Sequence, residues 1–193
     1  MSVATKNGVS TQQLFNIPNQ LTGLRLVLSI VLFVLIGFEA YVASTIVFLI
    51  AASTDWVDGY WARKYGQVTT LGRILDPFVD KIIICGTFIF LVPIPGAHIQ
   101  AWMAVVIVGR ELLVTALRSF LEGEGADFSA KMSGKLKMVF QCAAATLALG
   151  YLAMQDRPDW LDWLLVATVW TAVLMTVYSG LEYVWKAWRL LRG

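Results

Sequence analysis

Six runs of about 20 mostly apolar residues follow one another through this chain, and that pattern restricts it to very few folds. A helix that crosses a bilayer needs a stretch of about this length. The runs fall roughly at 21–38, 41–63, 73–92, 99–120, 134–154 and 160–185. Composition agrees: 58% of the residues are hydrophobic and 15% are charged, against about 25% charged in soluble domains. The expectation is an all-α, polytopic membrane protein with six transmembrane helices, forming a single domain over 1–193. Residues 1–20 form an N-terminal juxtamembrane segment and show no signal-peptide pattern. Within it, Leu14, Phe15 and Ile17 suit an interfacial amphipathic helix ending at Pro18; the alternative is an inert lead-in.

Short breaks separate the runs. Pro93, Pro95 and Gly96 interrupt the third connection, and the longest polar loop spans about 121–133. Basic residues set the orientation, because they gather in cytoplasmic loops. Lys6 and Arg25, then Arg63, Lys64 and Arg73, then Arg118, Lys131, Lys135 and Lys137, and finally Lys186, Arg189 and Arg192 all fall on one side. These are twelve of the 15 basic residues. The other side has Arg157, while Lys81 and Arg110 lie inside spans. Both termini are therefore expected in the cytoplasm. Cys85 and Cys142 lie in apolar sequence without Cys-x-x-Cys spacing and read as free thiols. His98 reads as a surface residue of the outer loop, and Glu39, Asp156, Asp159 and Asp162 read as solvated. The net charge of +2 gives no basis for a nucleic-acid partner.

Against this apolar background stands an acidic run: Asp55-x-x-Asp58-Gly59-x-x-Ala62-Arg63, eight residues, then Gly72-x-x-x-Asp76-x-x-x-Asp80. A carboxylate deep in a bilayer costs about 2.5–3.5 kcal/mol. Four of them, uncompensated, cost on the order of 10 kcal/mol. Asp55 and Asp58 share one face of the second helix, and Asp76 and Asp80 share one face of the third. The turn between the helices brings both pairs to one end of the bundle. Two readings follow. One is an ion-pair network with Arg63, Arg73 and Lys81 that fixes helix register. The other is a site for hard divalent cations, since oxygen-only ligands select Mg²⁺, Mn²⁺ or Ca²⁺. Two such ions balance four negative charges, and paired metals serve phosphoryl transfer. A cation-coupled transporter is a further alternative, but no internal repeat supports it.

The run resembles the signature of the CDP-alcohol phosphotransferase family, with every fixed position present. The resemblance implies a six-helix fold, a homodimer and a dependence on Mg²⁺ or Mn²⁺, with two ions bound. It assigns Asp55, Asp58, Asp76 and Asp80 to the metal, with Asp80 also the general base. It assigns Asn19, Thr22, Gly59, Arg63, Thr69 and Gly72 to the CDP-lipid. A glycine admits a nucleotide close to the helix, and an arginine suits a diphosphate.

A second set of charges bears on the acceptor alcohol. Arg110 and Arg118 are eight apart, so they lie on one helix face about 12 Å apart along the axis. Lys135 and Lys137 open the fifth helix. Together they make a basic pocket for a phosphate; the alternative is snorkelling together with an Arg110–Glu111 pair. The stretches Asn16–Arg25, Asp76–Lys81, Arg110–Arg118 and Gly134–Gln141 are similar to the bacterial branch of the family that makes phosphatidylglycerophosphate. Val114-Thr-Ala-Leu-Arg118 and Met138 depart from that branch's usual residues. This resemblance implies CDP-diacylglycerol and sn-glycerol 3-phosphate as substrates, in the bacterial inner membrane among membrane lipids, with the site facing the cytoplasm. Inositol phosphate, serine or phosphatidylglycerol are the alternative acceptors. The last run, 160–185, matches nothing specific.

Overall fold

A computed structural model of the chain describes residues 17–65, 70–123 and 132–192, and side chains outside 17–19, 21, 55–65, 70–77, 80, 122 and 191. The described residues form six helices and no strand. These are α1 (Ile17–Gly37), α2 (Tyr41–Tyr65), α3 (Thr70–Leu91), α4 (Ala101–Gly123), α5 (Met132–Ala153) and α6 (Asp159–Arg192). Each matches one apolar run within a few residues, except that α6 continues seven residues past its run. Pro18 lies in the first turn of α1 and so starts a helix, where a missing N–H costs nothing. Most of the expected interfacial segment, residues 1–16, lies outside the described residues.

Local chemistry fixes the corners. The α1–α2 turn satisfies its last carbonyls in a Schellman pattern, with the Ala40 N–H donating to Leu35 O at 2.9 Å and the Glu39 N–H to Ile36 O at 3.0 Å. Glu39 takes the left-handed conformation this requires, at φ 59°. After α3, the Ile94 N–H donates to Leu91 O and the Ala97 N–H to Ile94 O, so the Pro93–Gly96 stretch folds as consecutive tight turns. Asp159 and Asp162 open α6, and Arg189 and Arg192 close it. Those signs complement the helix dipole.

α5 occupies the centre of the bundle. It packs against α2, α3 and α6, while α1 packs on α2 and α3, and α4 on α3 and α6. Ala144, Ala145 and Ala148 are fully buried on α5, and such small side chains let helix backbones approach closely. Leu32, Phe48, Phe88, Ile107, Leu149 and Leu165 fill the core around them.

Apolar side chains cover much of the outside as well as the core, while several hydroxyl and amide side chains are buried between helices. Ser29, Ser44, Thr87, Gln141, Thr176 and Ser179 are fully buried, whereas Val31, Val105, Leu112, Leu174, Leu181 and Trp185 point outward. The buried hydroxyls of Ser29, Ser44, Thr87 and Thr176 donate to the carbonyl one turn earlier, at 2.6–2.9 Å, which removes their need for water. Among the described residues, two helices, Met132–Ala153 and Asp159–Leu190, are by length and composition apolar enough to cross a membrane.

Candidate functional site

Asp55, Asp58, Gly59 and Arg63 fall on α2, and Gly72, Asp76 and Asp80 on α3. Both acidic pairs lie within eleven residues of the connection 66–69, which at 1.5 Å per residue is within about 17 Å of it along each axis. The side chains of all seven residues lie outside the described ones, and Thr69 lies outside them altogether. The backbone thus brings the two carboxylate-bearing helix ends to the same connection. A donor set made only of carboxylates fits a hard divalent cation.

α1 contributes Thr22 and Arg25, three apart on its buried face. Arg25 is only 2% exposed, so this cation sits inside the bundle and not on a loop surface. The Asn19 side chain lies outside the described ones.

The acceptor candidates separate into two groups. Arg110 and Lys137 are drawn together by a carboxylate that the sequence reading treated only as one neighbour of Arg110. Glu111 accepts from the buried Lys137 ammonium and from Arg110 Nη1, the latter at 3.3 Å. The Arg110–Glu111 pair set out above as the alternative to a phosphate pocket is therefore present. Among the described residues, this one carboxylate faces both cations. Arg118 lies two turns further along α4, half-buried, and Lys135 is exposed.

Three residues missing from the sequence reading complete this cluster. Ser179 Oγ accepts from Arg110 Nη2 at 2.5 Å. The Tyr183 ring lies under the guanidinium, 5.3 Å from its centre, and Gly180 passes close to the arginine stem. Their sequence signal was a small or polar residue at each position of one face of α6: Ala172, Thr176, Ser179, Gly180, Tyr183 and Ala187. One turn away, Gln141 Nε2 donates to Thr176 Oγ1 at 2.9 Å. Buried Arg110 Nε, Arg118 Nε and Gln141 Oε1 have no hydrogen-bond partner among the described residues. A guanidinium carries five N–H donors; two of those on Arg110 are engaged within the cluster.

At the opposite end of α5 and α6, two of the residues read as surface or solvated are paired. Asp162 Oδ1 accepts from Tyr151 Oη at 2.8 Å and lies 2.8 Å from His98 Nε2. Arg157 stacks over the Tyr151 ring at 5.0 Å. Cys85 and Cys142 are free thiols, as expected.

Residues 15–178 match the family described as CDP-alcohol phosphatidyltransferase. The chain belongs to that family. It is 38% identical to a CDP-diacylglycerol–glycerol-3-phosphate 3-phosphatidyltransferase of Bacillus subtilis, covering 93% of this chain and 98% of that one. A protein of the same name from Pseudomonas fluorescens is 35% identical over 92% of each chain. Another, from Salmonella choleraesuis, is 33% identical over 88% of this chain and 93% of its own. The family match ends at residue 178, one residue before Ser179.

Proposed function

We propose that this chain transfers the phosphatidyl group of CDP-diacylglycerol to sn-glycerol 3-phosphate, giving phosphatidylglycerophosphate and CMP in phospholipid synthesis. The observation that carries the reading is similarity at 33–38% identity, over 88–93% of the chain, to relatives bearing that activity as their name. The complete acidic run supports it. The primary hydroxyl oxygen of glycerol 3-phosphate bonds to the lipid-linked phosphorus, and the bond from that phosphorus to the CMP oxygen breaks. Asp80 accepts the hydroxyl proton. CMP leaves as a phosphate monoester.

Asp55, Asp58, Asp76 and Asp80 hold Mg²⁺ or Mn²⁺, two ions in this proposal. When bound, the metal would supply charge neutralisation at the transferred phosphoryl group. Asn19, Thr22, Gly59, Arg63, Thr69 and Gly72 receive the CDP moiety. Arg110, Arg118, Lys135 and Lys137 receive the acceptor phosphate. Arg110 brings spare N–H donors to it, and Glu111 keeps Arg110 and Lys137 side by side as the anion arrives.

All six helices span the membrane in this reading, supported by their apolar outward faces and by helix lengths of 21–34 residues. Both termini and the acidic run face the cytoplasm of a bacterial inner membrane, where soluble acceptor and CMP exchange freely while the lipid tails stay in the bilayer. The functional unit is a homodimer.

The test is an acceptor panel. Purified protein receives CDP-diacylglycerol with glycerol 3-phosphate, inositol phosphate, serine or phosphatidylglycerol, and CMP release is measured with Mg²⁺ and with EDTA. Release is expected with glycerol 3-phosphate alone and only with the metal. Release with another acceptor would reassign the substrate, and release in EDTA would remove the metal.

A further inference from the structure

We propose that the last helix positions the acceptor-binding arginine: Ser179, Gly180 and Tyr183 of α6 clamp Arg110 and so set the affinity for glycerol 3-phosphate. This rests on the reading of Arg110 as a ligand of the acceptor phosphate.

Three contacts of different kinds meet on one side chain. Ser179, fully buried, accepts from Nη2 at 2.5 Å. Tyr183, 1% exposed, presents its ring face 5.3 Å from the guanidinium carbon. Such a cation–aromatic contact strengthens when both partners are desolvated. A Cβ on Gly180 would meet Arg110 Cγ at 3.2 Å, so only a glycine lets α6 lie flat on the arginine stem without a shift. The positions 179, 180 and 183 occupy one face of a helix. Across from them, Gly134 of α5 leaves room for the Tyr183 hydroxyl, which a Cβ there would meet at 3.2 Å.

A free arginine loses much rotamer freedom when it binds an anion. Here the stem, one terminal nitrogen and the ring plane are fixed in advance. The two contacts to Ser179 and Glu111 leave the buried Nε–H and one N–H on each terminal nitrogen without a partner among the described residues. The clamp thus prepays the ordering that acceptor binding requires. It acts through Arg110 and touches neither reacting atom, so its effect belongs to one substrate only.

The test uses the full chain in mixed lipid–detergent micelles, with kcat and KM measured separately for glycerol 3-phosphate and CDP-diacylglycerol. Ser179→Ala is expected to raise KM for glycerol 3-phosphate about tenfold, the usual value of a hydrogen bond to a charged group. Tyr183→Leu is expected to raise it about fivefold, whereas Tyr183→Phe, which keeps the ring, stays within about twofold. KM for CDP-diacylglycerol stays within about twofold in all three, since a positioning effect is confined to Arg110. Thr171→Ala is the control; its exposed hydroxyl bonds only its own helix, at 2.7 Å to Ala167 O. In an Arg110→Lys background, which itself raises KM for glycerol 3-phosphate, Ser179→Ala should add less than about twofold.

Wild-type KM values in Ser179→Ala and Tyr183→Leu, beside a raised KM in Arg110→Lys, would overturn the clamp and leave the acceptor assignment standing. A full tenfold increment from Ser179→Ala in the Arg110→Lys background would also overturn it, as would equal rises for both substrates. A wild-type KM in Arg110→Lys would overturn the assignment of Arg110, and the clamp with it. If Ser179→Ala does not fold, the Tyr183→Leu and Tyr183→Phe pair decides the question alone.

Discussion

Replacing Glu111 with glutamine removes the carboxylate that Lys137 and Arg110 share, while keeping its shape. The Glu111 and Lys137 side chains are 10% and 7% exposed, so water screens them poorly. Breaking a buried pair by removing one partner costs about 3–5 kcal/mol, and two unit charges 4 Å apart interact by about 4 kcal/mol at an effective dielectric constant of 20. The amide oxygen still accepts a hydrogen bond from Lys137, which places the expected loss near the lower end, about 3 kcal/mol. For a chain of this size, each kcal/mol moves Tm by about 2–4 °C. A fall of about 6–12 °C should follow, read from intrinsic tryptophan fluorescence during thermal unfolding in detergent. The cause is separable from generic disruption by a second change. Adding Lys137→Met to Glu111→Gln removes the surplus cation and should restore more than half of the lost Tm. A fall under about 2 °C, or a double variant less stable than the single one, would refute the argument that one carboxylate compensates both cations.

Other expectations follow from single contacts. In Gly86→Ala, the new Cβ would lie 2.1 Å from the tip of the Phe33 ring, which is stacked on Phe90 at 4.9 Å. Overpacking of about 1–3 kcal/mol, partly offset by about 1 kcal/mol of helix propensity, should lower Tm; an unchanged Tm would mean that the ring yields freely. Asp162→Asn weakens the acceptor shared by Tyr151 and His98 and should lower Tm slightly. It should leave both KM values alone, because Asp162 and Ser179 are 17 residues and so about 25 Å apart along α6. A selective rise in KM for glycerol 3-phosphate in that variant would contradict the separation of the two ends. Asp80→Asn should reduce turnover at least about 100-fold with an unchanged melting profile, and near-normal turnover would remove its role as base.

Much of this architecture was readable from hydropathy, for a physical reason. Helices that carry apolar side chains outward need long uninterrupted runs, and the breaks at Glu39, Pro93–Gly96 and Arg157–Pro158 are where those runs stop. The end of α6 was misjudged because Trp185, Lys186, Trp188 and Arg189 continue the helix with mixed polarity, which a hydropathy count reads as its end. Arg189 stacks on Trp185 at 5.4 Å and Arg192 on Trp188 at 4.2 Å, so that segment is held by contacts between side chains one turn apart. The acidic run was legible because its spacing is local to two consecutive helices. The Arg110 cluster was only half legible. Its cations stand out within an apolar helix, but Ser179 and Tyr183 lie about 70 residues away in sequence, and only the packing of α4 on α6 joins them. Asp162 and His98 were missed as partners for the same reason, being 64 residues apart.

The most direct measurement follows the acceptor itself into the product. Glycerol 3-phosphate labelled in its carbon skeleton is incubated with CDP-diacylglycerol, Mg²⁺ and the purified chain, and the organic extract is analysed by mass and label. The account predicts one labelled phosphatidylglycerophosphate formed for each CMP released, with neither product from Asp80→Asn. CMP release without label in the lipid, or label in the lipid without CDP-diacylglycerol, would contradict it.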